Sequence, residues 1–217
     1  MSTSQLKAMA GEFAYRPLSN GDASLNSGWS AAHISERRTY AGVAIRASCN
    51  LAIVDALQGA MNDIAAAGLA AEINTANTNS YGGCFYPRLN RVTGNLGFLS
   101  RHSWGAAIDM NTTQNPQGAA PELNCGVVRI MRKWGFAWGG NFVNPDGMHF
   151  EYVGERRDLP TGYPSAYCPN SAALTDSSAT AALNAASTAT SSADGLTAPD
   201  DRAGISRFFA DDGLSES

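Results

Sequence analysis

The stretch SRHSWGAAIDM, residues 100–110, sets a histidine and an aspartate seven residues apart among glycine and alanine. The chain holds only three histidines, and another lies in PDGMHFEY, residues 145–152. AAIDMN (106–111) reads as a buried strand, and period-two alternation puts Asp109 on the face opposite Ile108 and Met110. HFEYV reads as a second strand, with His149 flanked by Met148 and Phe150. Those two apolar neighbours would point into the core while the imidazole points away. Ser103-Trp104-Gly105 offers a turn between His102 and the first strand.

His102, Asp109 and His149 together supply two imidazole nitrogens and a carboxylate oxygen. A hydrolytic zinc site takes three protein ligands and keeps one position open, and this donor set suits a borderline cation such as Zn²⁺. Asp146 lies three residues before His149. On an uninterrupted strand the two would face opposite ways, but Pro145 and Gly147 mark a turn that brings Asp146 back over the metal. A carboxylate beside a metal that lowers the pKa of water toward ~7 is what a general base requires. Arg88, in CFYPRLNR, is the best second donor for a developing oxyanion, because guanidinium is permanently charged and bidentate. Arg91 is its nearby competitor. A lone histidine is more often a surface or core residue, and His33 is read that way.

Outward from these motifs, a helix is expected over 50–67. Leu51, Val54, Leu57, Met61 and Ile64 recur at helical spacing, with Asn50 as N-cap and Gly68 as stop. AAEINTAN after it reads as a short strand, and NTNSYGG as a turn-rich approach to CFYPRLNRVTG. A second helix is expected from about 126 to 134, with Asn124 near its cap and Val127, Ile130, Met131 and Trp134 inward. Residues 1–48 look irregular, with aromatic anchors Phe13, Tyr15 and Trp29, and read as a wrapping arm rather than a separate domain. From Ser171 the composition shifts to Ser, Thr and Ala, and residues 171–200 carry no aromatic, Lys or Arg. Such a segment buries too little apolar surface to offset its ordering entropy, so 171–217 is expected to be a disordered tail.

Bulk properties narrow the function. At 217 residues, with 44% hydrophobic residues, the chain can bury a real core. A net charge of -4 with 16% charged residues excludes the basic face of a nucleic-acid binder. No apolar run approaches the ~20 residues of a membrane span. MSTSQLKAMAGEF lacks the apolar centre of a signal peptide. Cys49, Cys84, Cys125 and Cys168 show no C-x-x-C pair, which argues against a cysteine zinc knuckle. They allow two disulfides in three connectivities, with buried free thiols as the equal alternative.

SRHSWGAAIDMN together with GFAWGGNFVNPDGMHFEY resembles the zinc peptidases that include D-alanyl-D-alanine carboxypeptidases and L-alanyl-D-glutamate endopeptidases, a group related to lysostaphin-type peptidases and the hedgehog domain. The likeness is dense from about 82 to 152. It implies an α+β fold: a small antiparallel sheet flanked by helices, with a zinc site on one sheet face. It implies a peptidase core over 49–170, His102, Asp109 and His149 as ligands of one Zn²⁺, Asp146 as base, Arg88 as substrate or transition-state donor, and Ser100 near the substrate. Trp104, Trp138 and Phe142 are then candidates for the walls of a site that takes peptidoglycan stem peptides. Trp138-Gly139-Gly140 suggests close backbone approach or a mobile rim. The expected protein is a monomeric hydrolase acting at the cell wall, D-Ala-D-Ala carboxypeptidase-like or endopeptidase-like. Asp146, where carboxypeptidase members commonly carry Glu, looks more like the endopeptidase and endolysin branch. A phage endolysin would share the chemistry. The alternative of another class is a non-catalytic zinc-containing module that binds the wall or serves structure.

Overall fold

The computed structural model describes residues 1–26, 28–76, 83–91, 98–159 and 163–169. The expected tail and most of the turn-rich 77–83 approach lie outside the described residues. Within them the architecture is α+β. Its centre is a three-stranded antiparallel sheet of β5 (Ala107–Asp109), β6 (Phe136–Trp138) and β7 (His149–Tyr152), in the order β5-β7-β6. In the β5–β7 register Asp109 stands opposite His149, and Ile108 opposite Phe150. Alternation then does what the sequence required. Ile108, Met110 and Phe150 are fully buried on one face, and the Asp109 carboxylate and His149 imidazole share the other.

Two helices pack beside the sheet. α3 (Val54–Ala66) buries Val54, Leu57, Ala60, Met61 and Ile64, and α4 (Cys125–Lys133) buries Val127, Val128 and Met131. These residues join Phe136, Trp138 and Phe150 in one core. Asn124 caps α4 by accepting from the Gly126 amide, as expected. Gly68 stops α3 in the left-handed region at φ 73°, where a side chain would be strained.

Asn50 is not the N-cap of α3. The helix starts after Ile53, and Asn50 is buried as a cross-link: its amide donates to the Ala10 and Trp104 carbonyls, at 2.9 and 3.0 Å. Those long-range acceptors outcompete a local cap. The strand expected over AAEINTAN is instead a single 3-10 turn, Ala70–Glu72. Asn111 explains it, donating to the Glu72 carbonyl and accepting from the Asn74 amide. A side chain has taken the place of a ladder partner.

The first 48 residues are more regular than their composition suggests. They form α1 (Thr3–Ala10), the hairpin β1–β2 (Tyr15–Pro17, Ala23–Leu25), α2 (Trp29–His33) and the hairpin β3–β4 (Arg38–Tyr40, Ile45–Ala47). They pack in two places. Tyr40, Val43, Ile45 and Ala47 enter the main core. Leu6, Ala10, Ala23 and Trp29 form a second cluster with Leu99, Trp104 and Ala106. Phe13 lies against Trp29 and Trp104, whereas Tyr15 is exposed. His33 stacks on Trp29 and has no part in the site below.

All four cysteines are paired, Cys49 with Cys84 and Cys125 with Cys168.

Candidate metal centre

His102 is carried on a 3-10 turn, Arg101–Trp104, that leads into β5. Ser100 begins this turn and its hydroxyl accepts from the His102 amide. Gly105 ends it at φ 64°, and a Cβ there would lie 2.9 Å from the Asn50 amide nitrogen. Only glycine turns the chain so close to another backbone. Asp109 follows at the end of β5, and His149 opens β7 directly across from it.

These side chains meet. His149 Nδ1 is 2.9 Å from Asp109 Oδ1, His102 Nε2 is 3.2 Å from the same oxygen, and the two nitrogens are 3.3 Å apart. One donor atom from each residue thus converges on a single point, as a metal ion needs. The outer nitrogens fit as well. His102 Nδ1 lies 3.0 Å from the Cys84 carbonyl, an acceptor that keeps a proton there and leaves Nε2 free to ligate. His149 Nε2 is 3.6 Å from Glu151 Oε2. The residues present therefore fit a zinc ion.

Burial works against charge throughout this centre, and the partners overcome it. Asp109 is held well below the usual carboxylate range because the two imidazoles outweigh its burial. His149 is pushed up to about 10, its contacts with Asp109 and Glu151 outweighing desolvation. Glu151 falls to about 2 because Arg101 and His149 outweigh its burial. Asp146 moves the other way. Burial raises it, Asp109 adds to the rise, and His149, His102 and Arg88 pull it down. Its Oδ1 is buried with no hydrogen-bond partner among the described residues. The expected turn is present: the Asp146 amide donates to Gly139 and its carbonyl accepts from the His149 amide. Gly139 makes room for it, since a Cβ there would lie 2.6 Å from the Asp146 carbonyl oxygen.

Arg88 reaches the same neighbourhood. Burial and Arg91 lower its pKa, while Asp109 and Asp146 oppose that shift. Its backbone is clamped to the His102 turn: Ser103 Oγ accepts from the Arg88 amide and donates to its carbonyl, which also accepts from Ser100 N. Ser103 was not legible as a site residue, because a small buried serine has no pattern of its own.

The tryptophans go elsewhere. Trp104 is 4% exposed and Trp138 is 0% exposed. Trp104 donates to the Gly11 carbonyl and packs on Phe13, and Trp138 donates to the Gly147 carbonyl. Both rings are core, so they give no wall to a substrate. Close backbone approach, not a mobile rim, accounts for the two glycines after Trp138, for a Cβ at Gly140 would strike the Trp138 ring. Phe142 does stay at the site, 6.1 Å from the His149 ring centroid.

One carboxylate and one imidazole on a sheet face, with a second imidazole from the turn that leads into it, form a group that could hold a metal ion, and the half-buried Asp146 carboxylate lies near them. A family model described as D-alanyl-D-alanine carboxypeptidase matches residues 93–152, so the family expected from the two motifs is the one found over that segment. This is a family of zinc-dependent peptidases. Neither a curated protein nor a solved structure matches the chain.

Proposed function

We propose that the chain is a zinc peptidase that hydrolyses peptide bonds in peptidoglycan stem peptides. The observation that carries this is the convergence of His102 Nε2, Asp109 Oδ1 and His149 Nδ1 near Asp146, whose Oδ1 is buried with no hydrogen-bond partner among the described residues. Those three atoms would hold the ion. When bound, zinc polarises a carbonyl and lowers the pKa of water toward ~7. Asp146 takes the proton from the attacking water as its oxygen bonds to the scissile carbonyl carbon. It returns that proton to the amine nitrogen as the C–N bond breaks. Burial raises the Asp146 pKa, which favours proton uptake, and its buried Oδ1 has no hydrogen-bond partner among the described residues. Arg88 offers its guanidinium to the oxyanion or to a substrate carboxylate. Ser100, committed to capping the His102 turn, shapes the site through that turn. Two disulfides suit an oxidising compartment such as the cell wall.

The test is incubation of the zinc-loaded protein with defined muropeptides, followed by mass spectrometry. Loss of a terminal D-alanine would mark a carboxypeptidase, and scission after L-alanine an endopeptidase. Asp146→Asn should keep stoichiometric zinc and lose at least ~100-fold in turnover. Full turnover in that variant would remove Asp146 as base. Zinc uptake without cleavage of any muropeptide would leave a non-catalytic wall module.

A further inference from the structure

We propose that Glu151 is a positioning residue for His149, holding the outer nitrogen of that ring so that Nδ1 faces the ion, and that Arg101 in turn holds Glu151. This rests on the metal-centre reading of His149. His149 and Glu151 are two residues apart on β7 and therefore share a face. His149 Nδ1 is already turned toward Asp109 and His102. Nε2 is then the nitrogen that must carry the proton in a neutral, ligating imidazole, and it needs an acceptor. Glu151 Oε2 stands 3.6 Å from it and 3.6 Å from Arg101 Nε. Both charged side chains are almost wholly buried, which is tolerable only when they compensate each other.

The placement links the two ligand segments from behind. Arg101 immediately precedes the first ligand, and Glu151 lies two residues past the last. Arg101 is fixed in addition by donating to the Met1 carbonyl at 2.8 Å. The Cys84 carbonyl serves His102 in the same manner. Behind one imidazole stands a main-chain acceptor at 3.0 Å, and behind the other a carboxylate at ion-pair distance, 3.6 Å. Aligning a ligand through such an acceptor is commonly worth ~10–100-fold in metal affinity.

The experiment measures zinc affinity by chelator competition and histidine tautomers by long-range ¹H–¹⁵N NMR on the zinc-loaded protein. Wild type should show His149 protonated at Nε2. Glu151→Gln should weaken zinc binding ~10-fold or more and alter the His149 signals while leaving those of His102 in place. Should a lone substitution unfold the core, the charge-free double variant Arg101→Met/Glu151→Leu should fold and show the same loss. Wild-type zinc affinity in the folded variants, or a His149 that binds zinc through Nε2, overturns the proposal while the metal centre stands. A wild-type protein that takes up no zinc overturns the metal centre and this inference together.

Discussion

The two disulfides close chain segments of nearly equal length, 35 and 43 residues, yet they do different things. Loop-closure entropy assigns each about 4 kcal/mol. The Cys125–Cys168 bridge joins the first residue of α4 to the end of the described chain, and Cys168 is packed in the main core. The contacts of its sulfurs are main-chain carbonyls, Tyr167 for Cys125 and Leu123 for Cys168, and neither belongs to the metal centre. The Cys49–Cys84 bridge anchors a segment that is tied to the β1–β2 hairpin, where the Ala23 amide donates to Pro87 and the Leu89 amide to Gly21, and also to the ligands themselves. Gly83 pairs with Asp109, the Cys84 carbonyl faces His102 Nδ1, Phe85 N donates to Ser48, and Tyr86 N donates to the His102 carbonyl. Equal thermodynamic weight therefore does not mean equal functional weight. What matters is which backbone the cross-link holds still.

Breaking the bridges one at a time is the strongest test of that difference. Cys125→Ala/Cys168→Ala should lower stability by about 2–5 kcal/mol and leave zinc affinity within a factor of two or so. Cys49→Ala/Cys84→Ala should lower stability by a similar amount and weaken zinc ~10-fold or more, because the acceptor behind His102 is no longer fixed. Chemical unfolding and chelator competition on the same samples would show both. Equal zinc affinity in the two variants would erase the distinction.

The same contrast explains what could be read from sequence. β5, β7 and the cap of α4 were legible because each is set by neighbours within a few residues: alternation around Asp109 and His149, and Asn124 two residues before Gly126. The ligand set was legible because the chemistry demands particular residue types. What was missed is set at long range. Asn50 looks like a cap until Ala10 and Trp104 present their carbonyls, and AAEINTAN looks like a strand until Asn111 occupies its backbone. Trp138 beside two glycines looks like a rim, but its ring is buried and its indole N–H donates to the Gly147 carbonyl in the turn before β7. The strands of residues 1–48 are three residues long, too short for periodicity to register. Cysteine pairing has no local signal at all.

A pair of glycines sharpens the comparison at smaller amplitude. At Gly139 a Cβ would meet the Asp146 carbonyl oxygen at 2.6 Å and the His149 Cβ at 3.1 Å, both held rigidly. Gly139→Ala should destabilise by about 1–3 kcal/mol and depress turnover more than zinc affinity, since the Asp146 turn must move. At Gly126 the nearest atom is the end of the partly buried Leu69 side chain at 2.6 Å, a flexible group rather than backbone. Gly126→Ala should change stability by under about 1 kcal/mol, because helix propensity offsets the contact, and should leave turnover as it was. Steady-state kinetics with melting curves would separate the two sites.

The smallest effect belongs to the seam between α3 and α4. Asp63 accepts from Lys133 Nζ at 2.7 Å and Trp134 Nε1 at 2.8 Å, and these bonds hold its pKa below the usual carboxylate value. A carboxyl depressed in the folded state stabilises above its unfolded pKa, and that contribution fades as pH falls through the folded value. With Asp63 34% exposed and Lys133 47% exposed, solvent screening keeps the contribution under about 1 kcal/mol. Asp63→Asn should therefore lower the melting temperature slightly at neutral pH, and the gap from wild type should close on acidification. Zinc affinity and turnover should match wild type across the series. A change in either would mean that the seam communicates with the metal centre, and the division between the two regions would have to be redrawn.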